Sequence, residues 1–479
     1  MLTVDLSRAQ FASTTVYHFL FVPITIGLAF LVAILQTAWY RNGSPELRRL
    51  TRFFGTLLLI NVAIGVVTGL VQEFEFGMNW SAYSRYVGGV FGAPLAMEGL
   101  AAFFLESTFL GLWIFGWDRL PKGIHLACIW VVAAGTMLSA AFIMAANSWM
   151  QHPVGYTINS KTGRAELNDI GALFTNPVFL WGYAHVLLAS LVTGSLIMLA
   201  VSAWHLRRSS SVEAFGRTAR ISLVVLLPAI IVAMFVGSEL GVVEAKYQPM
   251  KIAAAEAQWE SCPTSSSSTD SCSFSMFQVG GGNNDETPTE IISIPYLLSI
   301  LATNSLHGAV EGLNEVNAQY QKQYGPGDYV PNVFIQYWSM RVMAYIASLV
   351  LLLALWGAWA VWRHKLERAK WFLAVATWGA VVPFFMNTAG WLLTENGRQP
   401  WIVQGLMLTK NGVSTLSSSW VIITLVLFVA TYGIFGVIDG VLMVRYGRRP
   451  LSEGEGAEAP APGPDGTVPT PEEIPALTY

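Results

Sequence analysis

Charge is scarce in this chain. Asp, Glu, Lys and Arg make up 12% of its 479 residues, about half the ~25% usual in a soluble domain. Because 53% of the residues are hydrophobic, with 18 Trp, 26 Phe and 16 Tyr among them, that scarcity excludes an ordinary soluble enzyme. The same hydrophobicity excludes general disorder. An excess of one sign is also missing: 27 basic residues stand against 30 acidic ones, a net charge of −3, so neither a polyanionic partner nor nucleic acid is expected. The opening MLTVDLSRAQ lacks the basic stretch and cleavage site of a removable leader, so the first apolar segment is expected to be retained. No internal repeat is evident.

What the chain has instead is long apolar runs. A bilayer core of roughly 30 Å takes about 20 apolar residues as helix. Nine segments reach that length, at approximately 14–38, 53–72, 91–116, 126–149, 178–204, 220–240, 334–361, 371–393 and 419–443. The expected fold is an all-α integral membrane protein of about nine transmembrane helices. Its parts are helices 1–6 over residues 1–240, an extracytoplasmic loop over 241–333, helices 7–9 over 334–449, and an acidic, Pro-rich tail over 450–479 that reads as disordered cytoplasmic chain. The positive residues set the orientation. With the N-terminus outside and the C-terminus in the cytoplasm, 17 of the 27 Lys and Arg fall on the short inner segments, for example Arg48, Arg49 and Arg52, or Arg445, Arg448 and Arg449. Residues 291–312 are apolar enough to be weighed as a tenth span, but Pro295, Asn304, His307 and Glu311 favour a surface or re-entrant segment.

Ionisable residues inside a membrane are costly, which makes each a functional candidate. His125, His152, His205, His307 and His364 fall in loops or at span ends and read as solvated or interfacial. His18 and His185 lie within spans. Met343, with Arg341 beside it, Glu98 and Glu395 fall in the same outer layer. His and Met are a standard axial pair for an electron-transferring heme, and a heme with one strong protein ligand keeps a face open for a diatomic gas. Glu106 follows Glu98 by eight residues, roughly 12 Å deeper and about 80° round an α-helix, as stations of a proton relay would be. On these residues alone, heme chemistry and a proton-coupled multi-span secondary transporter both stand. A transporter should show repeated halves, and the chain shows none. In the outer loop, Cys262 and Cys272 bracket a serine run on the oxidising side, and a disulfide there would be worth roughly 3 kcal/mol. Cys128 reads as inert packing.

Seven segments, in order, resemble subunit I of the cytochrome bd-type quinol oxidases: LSRAQFA with His18 following, MEGLAAFFLESTFLGLW, NSWMQHPVG, YAHVLLASLVTG, QPMKIAAAEAQW, WSMRVMA and GWLLTENGRQPW. The resemblance covers essentially the whole chain except the tail. It implies a heme-bearing subunit of a respiratory terminal oxidase in the bacterial cell membrane, with two hemes b, one low-spin and one high-spin, and one heme d. It implies that His185 and Met343 are the axial ligands of the low-spin heme b, and that His18 and Glu395 are ligands of the high-spin pair; it leaves open which holds which, His18 on heme d and Glu395 on the high-spin heme b being the favoured pairing. Glu98 then stands beside that pair, Glu106 on a proton path and Trp391 between hemes, while Arg398, and Arg341 near the layer, suit propionates. Lys251 and Glu256 match a quinol-binding pair. Five residues apart, they stand about 140° round a helix, so both face one headgroup only if the helix bends. The implied partners are a second multi-span subunit, with a small single-span one as a further candidate, the quinol and O2 substrates, and the bilayer.

Overall fold

With no water to bond to in a bilayer, an apolar segment must satisfy its own backbone, and a helix does so alone. The computed structural model describes residues 2–262 and 271–451. The serine run and the acidic tail from residue 452 lie outside the described residues. The first half holds α1 (Leu2–Asn42), α2 (Pro45–Met78), α3 (Ser81–Met97), a π-helical turn (Glu98–Phe103), α4 (Phe104–Phe115) and α5 (Lys122–Gln151). After a small hairpin of β1 (Tyr156–Ile158) and β2 (Ala165–Leu167) come α6 (Ile170–Thr175), α7 (Pro177–Arg207), α8 (Val212–Tyr247) and α9 (Pro249–Glu256). The large loop continues through β3 (Phe274–Val279), β4 (Thr289–Ile294), α10 (Leu297–Thr303) and α11 (Leu313–Tyr324). The chain then forms α12 (Val333–Trp362), α13 (Lys370–Trp378), α14 (Val382–Gly397), β5 (Trp401–Val403), β6 (Met407–Leu408), α15 (Thr409–Gly412) and α16 (Ser418–Gly447).

Eight helices among the described residues are long and apolar enough to cross a membrane, and α13 with α14 makes a ninth if the pair is one span bent by 44°. That agrees with the nine segments read from the sequence. The bend follows Gly379 and precedes Pro383, which lacks the N–H an unbroken helix would use. Residues 291–312 do not form a spanning helix: they hold the end of β4 and the seven-residue α10, which reaches only about 10 Å.

The helices pack around α1 and α7. A Cβ on Gly27 of α1 would lie 2.8 Å from Gly194 Cα on α7, so the two backbones meet where neither residue has a side chain. At the end of α1 away from the large loop, a buried polar knot joins three helices. The Trp113 indole N–H donates to Gln36 Oε1 (2.6 Å), Gln36 Nε2 lies 2.8 Å from His125 Nδ1, and His125 Nε2 lies 2.8 Å from the Trp113 carbonyl oxygen. His125 is therefore a satisfied buried histidine, not a solvated one; His205 is buried too, stacking on Phe215 at 3.8 Å and bonding the Gly447 carbonyl through Nε2 at 3.0 Å, while its Nδ1 has no partner among the described residues. Their positions near span ends suggested exposure, but neighbouring helices cover both rings.

Candidate cofactor cavity

Near the large-loop side of the bundle, α1, α2, α3, the π turn, α4, α5 and α14 line a cavity of about 350 Å³. Its lining includes His18, Glu98, Glu106, Trp391 and Glu395, so five residues singled out in the sequence, from three stretches far apart in the chain, share one space. The Trp391 ring stacks on Phe19 at 5.0 Å and 18°, which ties α14 to α1 beside His18. His18 Nδ1 is 3.0 Å from Thr68 Oγ1, leaving Nε2 as the nitrogen free to bind a metal. The Glu98 carboxylate accepts from the Ser139 hydroxyl at 2.7 Å. On an uninterrupted α-helix Glu106 would stand about 80° away from Glu98. The π turn takes up one extra residue, equivalent to about 100° of rotation, which leaves the two within about 20° of one face.

Glu395 accepts from Asn147 Nδ2 at 2.8 Å and is paired with Arg398. Arg398 is buried, and its Nε and Nη1 have no hydrogen-bond partner among the described residues. An orphaned guanidinium edge beside a ligand-type carboxylate suits an anionic group of a bound cofactor. Glycine stands against each of three candidate ligands. A Cβ on Gly69, Gly237 or Gly390 would lie 3.0 Å from His18 Cε1, His185 Cε1 or Met343 Sδ respectively. The imidazole, thioether and carboxylate donors, the cleared space beside them and the open Nε/Nη1 edge of Arg398 fit heme.

His185 and Met343 are not among the residues lining this cavity. His185 projects from α7 toward α8, with Nδ1 3.2 Å from the Ala233 carbonyl. Met343 on α12 packs toward α14 at Gly390. The helices concerned adjoin one another, since α7 packs on α8 and α14, and α12 on α8 and α14.

Arg341 departs from its expected place. It is wholly buried, and its donors go to the loop: Nη2 to Glu256 Oε2 at 2.6 Å, Nε to the Ser275 carbonyl at 3.1 Å, and Nη1 to the Ala255 carbonyl. The guanidinium thus ties α12 to α9 and β3 rather than reaching toward a propionate. Lys251 and Glu256 are also buried and do not share a partner. Lys251 Nζ donates to Glu244 Oε1 (2.8 Å) and Gln151 Oε1 (2.7 Å), whereas Glu256 is held by Arg341. Burial pushes the Glu256 carboxyl above its ordinary range, with Arg341 opposing. The helix between them does not bring both side chains to one point. Cys262 and Cys272 form a disulfide, with Cα atoms 5.5 Å apart.

Sequence reading missed Thr68, Ser139, Asn147 and Gln151, which orient the charged residues, and Glu73, which also lines the cavity. It also missed Gln248, buried next to α9 with both amide atoms unpartnered among the described residues. Uncharged Asn, Gln, Ser and Thr carry no signal of their own in an apolar helix, and only their neighbours reveal them, whereas Glu73 falls just past the end of the apolar run 53–72 and reads as flanking charge.

The fold and cavity define a multi-pass membrane protein with a heme-type ligand set. The chain belongs to the family of cytochrome bd terminal oxidase subunit I, which it matches over residues 6–450. It is 45% identical over 445 residues to the cytochrome bd ubiquinol oxidase subunit 1 of Bacillus subtilis, covering 92% of each chain. It is 37% identical over 503 residues to the cytochrome bd-II ubiquinol oxidase subunit 1 of Escherichia coli, covering 93% of this chain and 96% of that one. The structure of bd oxidase from Geobacillus thermodenitrificans is similar, with a TM-score of 0.83 at 30% identity over 93% of this chain and 98% of that one. The protein is accordingly a quinol oxidase subunit, an oxidoreductase of respiratory electron transport. Its family is heme-bearing and works with a second membrane subunit. Membership sets the transporter reading aside.

Proposed function

We propose that this chain oxidises quinol on the large-loop face, taken as the outer face, and supports reduction of O2 to water with protons drawn from the opposite, cytoplasmic side. The observation that carries this reading is the single cavity shared by His18, Glu98, Glu106, Trp391 and Glu395. When bound, two hemes b and one heme d supply electron transfer from quinol and the reduction of O2. His185 and Met343 would hold the low-spin heme b, His18 the heme d and Glu395 the high-spin heme b, with Arg398 meeting a propionate.

The residues of the chain provide the proton handling. Lys251 and Glu256 recognise and deprotonate the hydroquinone in the loop unit, residues 241–333. Each already sits in an ion pair, so a quinol hydroxyl would enter by exchanging with Glu244 at Lys251 or by donating to Glu256. At the cavity, Glu106 and Glu98 stand as successive carriers on one helix face. Protons released outside and consumed from inside separate charge without a pump. The N-terminus lies outside and the C-terminus inside, in the bacterial cell membrane, with a second multi-span subunit and a small single-span one as partners.

The test is a reduced-minus-oxidised absorption spectrum of the purified complex, with quinol-dependent O2 uptake. Signals of heme b and heme d with O2 uptake are expected. A colourless complex, made with its partner and adequate heme, would sink the reading.

A further inference from the structure

The buried polar contacts between α9 and α14 form one continuous line. Lys251 Nζ donates to Gln151 Oε1 (2.7 Å), Gln151 Nε2 donates to Asn147 Oδ1 (2.7 Å), and Asn147 Nδ2 donates to Glu395 Oε1 (2.8 Å). Gln151 and Asn147 are four residues apart on α5, so their side chains stack along one face. Lys251, Gln151 and Asn147 are all buried, and the line reaches the cavity at Asn147 and Glu395, which line it.

The direction of the line is forced by its ends. An ammonium only donates and a carboxylate only accepts, so both amides must present oxygen toward Lys251 and N–H toward Glu395. Their dipoles then align head to tail, and hydrogen bonds in such a chain strengthen one another. Glu244, which also accepts from Lys251 Nζ at 2.8 Å, completes the cationic end.

The geometry points to Gln151 and Asn147 as positioning residues that carry the electrostatic state of Lys251 to the carboxylate of Glu395. This rests on the reading of Lys251 as a quinol contact and Glu395 as a heme ligand. A quinol that draws on Lys251 Nζ weakens the first bond of the line and, through the amides, the last. The quinol site and the iron ligand are then coupled without a moving backbone element. A second link competes as an explanation: α14 also packs directly on α9, where a Cβ on Gly397 would collide with the Lys251 side chain. The experiment separates the two.

Midpoint potentials of the hemes are measured by spectroelectrochemical titration in the purified complex, for Gln151→Met, Lys251→Met and the double variant. Losing Lys251 or Gln151 leaves the Asn147 amide less polarised, so its N–H offsets less of the negative charge on Glu395, which favours the oxidised iron. Both single variants should therefore lower the potential of the Glu395-side heme and leave the His185/Met343 heme in place. The double variant should shift no further than Gln151→Met alone, because either change breaks the same line. An unshifted potential in Gln151→Met at full heme content, or shifts that add, overturns the inference. If Gln151→Met does not assemble, Lys251→Met is decisive by itself: an unchanged Glu395-side potential overturns it. A control, Glu395→Gln, keeps the failures apart. If that variant leaves the high-spin heme b spectrum unaltered, the ligand assignment has failed rather than the line.

Discussion

At the scale of single residues, burial decides what a charged group can do. Arg341 looked like a heme partner because it stands two residues from Met343, but on a helix two positions apart is about 200° round. The side chain accordingly faces the loop, where Glu256 and two carbonyls take its donors. Met343 packs instead toward α14 at Gly390. Replacing Met343 by Leu should remove or alter the low-spin heme b band while leaving the heme d band largely present. A low-spin band that survives unchanged in the reduced spectrum refutes that ligand.

Glu256 supplies a pH test. Its carboxyl is held above the ordinary range by burial, so its basic form appears only as pH rises through that elevated value. Quinol-dependent kcat/KM should therefore fall as pH is lowered through it. Glu256→Gln should flatten that limb and reduce the rate by about 10²-fold, the lower range for loss of a general base. An unaltered pH profile would exclude Glu256 as the proton acceptor.

At the scale of elements, two local departures from a regular helix shape the cavity. The π turn Glu98–Phe103 brings Glu98 and Glu106 toward one face, and the break between α13 and α14 lets α14 carry Trp391 and Glu395 to α1. Neither was legible in the sequence, where span three and span eight read as uninterrupted apolar runs. A π turn is chosen by packing on neighbouring helices rather than by any residue type. The contact of α1 with α7 is equally dependent on geometry. Gly27→Val would push a branched side chain into the Gly194 backbone, and overpacking of this kind costs about 1–3 kcal/mol. Thermal inactivation of the complex should shift to lower temperature. Unchanged inactivation would mean the two helices separate more easily than their packing suggests.

At the scale of the whole molecule, sidedness and the loop staple are the properties to test. Among the described residues the one free cysteine is buried, so a cysteine introduced on the surface reports accessibility cleanly. Lys322→Cys, exposed on the large loop, should react with a membrane-impermeant thiol reagent in intact cells. Arg449→Cys, exposed beyond the end of α16, should react only after permeabilisation. The reverse pattern would invert the proposed orientation. The Cys262–Cys272 bond closes a short loop of sequence separation 10, worth about 3 kcal/mol by chain entropy. Replacing both cysteines by serine should speed proteolysis of the loop while leaving the heme bands intact. Equal proteolysis would show that the staple contributes little.

Low charge and nine apolar runs determined the membrane class and number of spans by themselves, because hydrocarbon tolerates little else. Four ionisable residues, His18, Glu98, Glu106 and Glu395, also proved legible as the lining of a shared cavity, since placing charge in a membrane is costly and therefore conspicuous. Only the tertiary structure decided which side of a helix each charge faces, which neutral amides hold it, and that Lys251 and Glu256 pair apart. Those outcomes depend on distances of a few ångströms between helices far apart in the chain, and no local pattern of residues encodes them.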